Sequence, residues 1–213
     1  MSSMPRIETF ERYTSRYENW FEENRPVYES ELGALRANMP PYARGLEIGV
    51  GSGRFAVPLG ILFGVDPSPR MVNIARNRGI QTVYGVAEQL PFADSSFDLA
   101  LMVTTICFLN DIKSAFREAK RILNPGGSFI IGFIDKNSAV GRSYQEKKKK
   151  SVFYEIATFY SVEEVVELLK SSGFDDFYFT QTLFRDLKAV QYLEPVMSGH
   201  GKGSFVVIRA VKQ

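Results

Sequence analysis

Cysteine and histidine are nearly missing from this chain: Cys107 and His200 stand alone among 213 residues. One thiol excludes an intrachain disulfide and any cysteine cluster for zinc or iron–sulfur. One imidazole excludes a multi-histidine metal centre, and no metal is expected. Charge of one sign is also missing, because 26 Lys and Arg stand against 24 Asp and Glu. That balance supplies no basic field for nucleic acid or an anionic membrane surface. No stretch offers the run of apolar residues that a membrane span needs. The N-terminal segment carries Arg6, Glu8, Glu11 and Arg12 where a secretory leader would be apolar. The expectation is a cytoplasmic protein with no integral membrane association. Neither an internal repeat nor a low-complexity linker divides it.

What is present is material for a core, with 45% of residues hydrophobic and 23% charged. From Ile7 to Leu35 large apolar groups recur at helical spacing: Phe10, Tyr13, Tyr17, Trp20, Phe21, Tyr28, Leu32 and Leu35. Pro26 divides the stretch into two helices, and Pro40-Pro41 ends the second. The first half is aromatic rather than aliphatic. Tyr13, Tyr17 and either Trp20 or Phe21 share one face, predicted to look inward, with the remaining ring packed on the following helix.

After Pro41 short apolar runs alternate with helical stretches. Strands are predicted at Gly45–Ile48, Ile61–Val65, Gln81–Tyr84, Phe97–Val103 and Ser128–Ile134. Helices are predicted at Arg54–Leu59, Ser68–Asn77 and Lys113–Leu123, the last stopped by Asn124-Pro125-Gly126-Gly127. Ser161 with Glu164 makes a capping box for a later helix, and Phe174–Thr182 and Ser204–Ala210 read as two terminal strands, at least one of them antiparallel. Such alternation predicts a mostly parallel sheet covered on both faces. The four lysines at 147–150 read as a solvated helix face.

The segment with chemical content is Leu46-Glu47-Ile48-Gly49-Val50-Gly51-Ser52-Gly53-Arg54. Glycines at 49, 51 and 53, where a strand feeds a helix, let the backbone turn tightly and approach a ligand. Asp66 ends the next strand, where its carboxylate can accept both hydroxyls of a ribose held over the glycines. Together they imply an adenosine-type cofactor. The third glycine comes one residue too early for the dinucleotide fingerprint, and no Gly-Lys-Ser or Gly-Lys-Thr completes a phosphate loop.

Further ordered segments follow: Gly64-Val65-Asp66-Pro67-Ser68, Gly85-Val86-Ala87-Glu88-Gln89-Leu90-Pro91-Phe92, Phe97-Asp98-Leu99-Ala100 and Ile122-Leu123-Asn124-Pro125-Gly126-Gly127. With the glycine turn they resemble the class I S-adenosylmethionine-dependent methyltransferases. They look most like the small-molecule branch that includes ubiquinone and menaquinone biosynthesis enzymes. The resemblance implies an α/β fold: one Rossmann-like domain, with a mostly parallel seven-stranded sheet having one antiparallel strand and helices on both faces. Residues 1–40 would form an N-terminal helical lid, 41–213 the methyltransferase domain, and 136–160 a lid or substrate-side insertion.

The resemblance implies S-adenosylmethionine as cofactor and S-adenosylhomocysteine as product. Glu47, Gly49, Gly51 and Gly53 would meet the methionyl part, Asp66 and Pro67 the ribose, and Ala87 and Glu88 the adenine edge, with Val103 and Thr104 completing the pocket. The chain departs from the family where Val86 replaces a common acid, in the short helix after the glycines, and where Cys107 and Phe108 stand in place of two histidines. Tyr13, Tyr17, Thr104 and Asp135 are the candidates for acid–base help. The expected reaction is in-line methyl transfer to a small-molecule acceptor, by a monomer or homodimer that does not act on nucleic acid. A non-catalytic cofactor-binding regulator and a nicotinamide-dependent oxidoreductase are the alternatives.

Overall fold

The computed structural model describes residues 7–213, so the first six residues of the expected cap, Arg6 included, lie outside the described residues. Three helices come first: α1 (Glu8–Arg12), α2 (Thr14–Glu23) and α3 (Arg25–Asn38). Pro26 sits in the first turn of α3, where a missing N–H costs no helical bond. A further break, at Tyr13, separates α1 from α2 and was not visible in the aromatic spacing.

Alternating strands and helices follow as β1 (Gly45–Ile48), α4 (Ala56–Leu59), β2 (Phe63–Asp66), α5 (Pro69–Asn77), β3 (Gln81–Tyr84), β4 (Phe97–Val103), α6 (Ile112–Ile122) and β5 (Leu123–Ile134). The chain then forms α7 (Ala139–Glu146), α8 (Val162–Ser171), β6 (Phe174–Thr182), β7 (Met197–Ser198) and β8 (Phe205–Lys212). Among the described residues no helix is long and apolar enough to cross a membrane.

The sheet runs β3-β2-β1-β4-β5-β8-β6-β7. This corrects the expected seven strands with one antiparallel: among the described residues there are eight strands, and three pairings, β5 with β8, β6 with β8 and β6 with β7, are antiparallel. The last strand inserts between β5 and β6, so both of its neighbours run against it. The extra strand is two residues, Met197 and Ser198, paired with Gln181 and Thr180. A two-residue strand is too short for an alternating pattern to announce it.

β4 shows why the apolar runs are continuous. Leu99, Leu101 and Val103 face the layer holding Leu32 and Leu35, whereas Ala100 and Met102 face the layer holding Phe116 and Val165. Both faces are dry, so neither parity can be polar. The chain leaves β1 for β2 and β3 and returns to pair β4 beside β1. Such a reversal of strand order leaves a crevice at the carboxyl ends of the strands.

The predicted capping box forms: Glu164 N–H donates to Ser161 Oγ at 3.3 Å and Ser161 N–H to Glu164 Oε2 at 2.8 Å. Ser161→Ala should cost about 1 kcal/mol, a drop of roughly 2–4 °C in Tm by thermal unfolding.

Candidate active site

The turn after β1 is held by its glycines. Gly49, Gly51 and Gly53 have φ of +73°, +52° and +83°, values that L side chains adopt only with strain. Close approach matters as well at Gly49, where a Cβ would lie 2.5 Å from Thr105 Cγ2, and at Gly51, where it would lie 3.2 Å from the Tyr17 hydroxyl. Gly49 therefore lets the loop after β4 lie against the loop after β1.

Asp66 ties this turn to the next strand. Its Oδ2 accepts the Gly51 N–H at 2.9 Å and its Oδ1 the Ser68 N–H at 2.8 Å. Burial raises the carboxyl pKa to about 6 against those two donors, with the Glu11 charge adding to the rise. Glu47 is buried under the turn. Burial, followed by the neighbouring Asp66 charge, holds its carboxyl well above the usual range, against an opposing hydrogen bond from the Ala56 N–H. Its Oε2 has no hydrogen-bond partner among the described residues.

The aromatic helices are pinned over this turn by charge. Arg54 donates to Glu18 Oε2 at 2.9 Å and to Glu22 at 2.7 Å, while Arg78 pairs with the same Glu18 oxygen. The Arg54 guanidinium also lies 5.2 Å from the centre of the Phe21 ring. On α1, Glu11 accepts from the Ser68 hydroxyl and from the Arg70 N–H at 3.0 Å. The first residue after the glycines and the first turn of α5 thus anchor the two leading helices.

Between these parts lies a cavity of about 460 Å³, within the range of small-ligand sites. Of the sequence candidates, Gly49, Gly51, Asp66, Pro67, Ala87, Glu88, Val103, Thr104 and Tyr17 line it. Gly53 and Glu47 support the turn without forming its wall. Tyr13 and Asp135 do not line it either. Tyr13 lies beside Phe153, and Asp135 is buried, its Oδ1 accepting the Asn137 N–H at 3.0 Å. Trp20 and Phe21 both line the cavity, although only one was assigned inward, because Phe21 at the same time packs edge-on to Tyr28. Burial, and then the Glu47 and Asp66 charges, hold the Tyr17 phenol far above its usual pKa, so it stays neutral and can donate a hydrogen bond.

Several walls were missed from sequence. Thr105, Phe108, Tyr144, Phe153 and Tyr154 line the cavity, as do Glu31 on α3 and Lys147 at the start of the lysine run. Tyr144, Lys147, Phe153 and Tyr154 fall within 136–160, the stretch expected as a lid or substrate-side insertion. Glu31 had a signal of its own: it stands between Val27 and Leu35 on the buried stripe of α3, a position where an acid is out of pattern.

An open α/β domain with a glycine turn and an acid at its switch point, joined to an aromatic chamber, is built to present a nucleoside-bearing cofactor to a second small ligand. Residues 46–131 match the family model described as a methyltransferase domain. A crystal structure from Thermotoga maritima, of an S-adenosylmethionine-dependent methyltransferase and possible histamine N-methyltransferase, superposes with a TM-score of 0.95. It is 51% identical, and the match covers 97% of this chain and 100% of that one. An uncharacterised protein of Methanocaldococcus jannaschii is 46% identical over 97% of this chain and 100% of its own length. Another, from Mycobacterium tuberculosis, is 36% identical over 99% of this chain and 76% of its own. The chain belongs to the S-adenosylmethionine-dependent methyltransferases. It uses S-adenosylmethionine as donor and releases S-adenosylhomocysteine.

The steric account of the turn has a direct test. Gly49→Ala should destabilise the fold by about 2 kcal/mol or more, combining the left-handed backbone with the Thr105 collision. Adding Thr105→Ala should recover only the collision part, and chemical denaturation of both variants measures the difference.

Proposed function

We propose that the cavity is the methyl-transfer site, with the donor over the glycine turn and a small molecule with an apolar body against the aromatic wall. The observation that carries this reading is the continuity of one cavity from Asp66 and Gly51 to Phe108, Phe153 and Tyr154. Asp66 would hold the ribose hydroxyls, Pro67, Ala87 and Glu88 would flank the adenosine, and Val103 and Thr104 would line the floor. Gly51 would serve the methionyl end, and the Glu47 carboxyl, buried under the turn and outside the cavity wall, would act on the cation there only through the turn. These residues fit the donor in charge and shape. When bound, S-adenosylmethionine supplies a methyl group made electrophilic by its sulfonium.

The chain's own part is alignment and exclusion of water. Tyr17 stays a neutral phenol beside the turn and orients by donating a hydrogen bond. Thr104 is held at φ +50° by its N–H to Gly132 O at 2.8 Å, an unusual backbone kept by the β5 contact. The rings of Phe10, Tyr17 and Phe153 pack within 6.5 Å of one another and keep that end dry. We read residues 7–38 as a cap over this chamber and residues 139–154 as its substrate-side wall. The Thermotoga relative carries a small-molecule substrate in its name, which supports this acceptor class. The motif likeness to quinone-ring enzymes keeps such a flat ring within it.

Two measurements test the reading. S-adenosylhomocysteine should bind far more tightly than nicotinamide dinucleotides by calorimetry, and Asp66→Ala should weaken it by about 1.5–3 kcal/mol. The ribose needs the ionised carboxylate, and the free carboxyl titrates near 6. Affinity should therefore be flat above pH 7 and fall towards tenfold per unit below pH 6, and Asp66→Asn should flatten the profile. Equal affinity at pH 5 and 8 would remove Asp66 from the ribose. For the cap, amide hydrogen exchange across residues 8–23 should slow when S-adenosylhomocysteine binds, and unchanged exchange would make the segment a brace.

A further inference from the structure

Among the described residues, three acids line the cavity. Asp66 and Glu88 each accept backbone N–H groups, Glu88 those of Asn110 at 2.9 Å and Asp111 at 3.3 Å. Glu31 differs: it is 5% exposed, and burial alone acts on its carboxyl. Among the described residues it has no ion-pair or hydrogen-bond partner. Helix geometry imposes the position, because Val27 and Leu35, one turn to either side, are 1% and 0% exposed. An acid buried in a cavity wall with nothing to pair with costs stability, and a cationic ligand removes that cost.

Its neighbours suit the same ligand. Tyr144 and Tyr154 line the same cavity as Glu31, and the Glu31 charge adds to the rise that burial gives both phenols. The two rings are stacked with centres 4.6 Å apart, and aromatic faces attract cations. The cations that line the cavity, Arg16 and Lys147, are exposed, and Lys147 donates to Ser143 Oγ at 2.8 Å. On the loop packed against α3, Glu194 is held by Arg185 at 3.4 Å and by the Phe184 N–H, while the Asp186 charge acts on Tyr144.

We propose that the methyl acceptor is a small amine whose nitrogen is bound by the Glu31 carboxylate beside the Tyr144–Tyr154 pair, and that Glu31 takes the proton the nitrogen must lose. The inference rests on the methyl-transfer reading of the same cavity. An ammonium group has no lone pair. One N–H bond breaks, its electron pair stays on nitrogen, and the proton forms an O–H bond on Glu31. The neutral nitrogen then carries the nucleophilic pair. Alcohols and carboxylic acids gain nothing comparable from an acid in this position.

Phenethylamine and its neutral analogue 2-phenylethanol, titrated calorimetrically into protein saturated with S-adenosylhomocysteine, test this. The amine should bind at least tenfold more tightly. Burial holds the free carboxyl at about 8, so pairing with an ammonium at pH 7 should release about 0.9 proton, counted from the dependence of binding heat on buffer. Glu31→Gln should weaken the amine roughly ten- to hundredfold, abolish proton release and leave the alcohol and S-adenosylhomocysteine unchanged. No binding of the amine, equal binding of the two probes, absence of proton release, or a Gln variant that keeps the preference would each overturn the inference while leaving the donor site intact. Failure of S-adenosylhomocysteine to bind the unaltered protein would instead overturn the reading of the cavity itself.

Discussion

The site depends on one carboxylate. Asp66 stands at the end of β2 and accepts N–H groups from the turn after β1 and from the start of α5, so two loops that share no sequence neighbourhood are held as one surface. Backbone amides that converge on a buried acid are fixed more firmly than amides left to water, because releasing them would leave both partners unsatisfied. Burial is the main cause that raises the pKa of Glu47 and Tyr17, and the charge of the same carboxylate adds to both rises.

From that fixed surface the leading helices are placed by charge and the chamber is filled by rings. Glu18 reaches both Arg54 and Arg78, which precede and follow β2 in the chain, and Glu11 reaches the first turn of α5. The rings then pack largely edge to face, Phe10 on Phe108 at 5.1 Å and Tyr17 on Phe21 at 5.1 Å, a geometry favoured by their quadrupoles. The outcome is a cavity with two characters, carboxylate and backbone amide at one end and aromatic surface with one unpaired acid at the other. Such a division suits a reaction in which a polar donor meets an acceptor with an apolar body, since each end discriminates its own ligand without the other.

The strands from β1 to β4, their helices, the capping box at Ser161 and the glycine turn with Asp66 were legible in the chain, because each follows from residues close in sequence. A strand buried on both faces reads as an unbroken apolar run, and a left-handed turn demands glycine at set positions. The ends of α4, α5 and α6 came out within two residues, whereas the break between α1 and α2 at Tyr13 did not. The eighth strand was not legible, and neither was the insertion of β8 between β5 and β6, since pairing partners are chosen by the whole sheet.

The acceptor wall shows the same boundary. Tyr17 could be turned inward by helical phase alone, whereas Tyr144, Phe153 and Tyr154 lie more than a hundred residues further on and meet the chamber only through the path taken after β5. Asp135 looked equally suitable at the end of its strand, yet it turns into the following loop and caps Asn137. Sequence by itself determined the glycine positions of the turn and the candidate polar groups around it, because these depend on side-chain type and local dihedral angles. Tertiary structure decided which of those groups share a cavity, and that Glu31 is buried there unpaired, because proximity and desolvation are set by packing between distant segments.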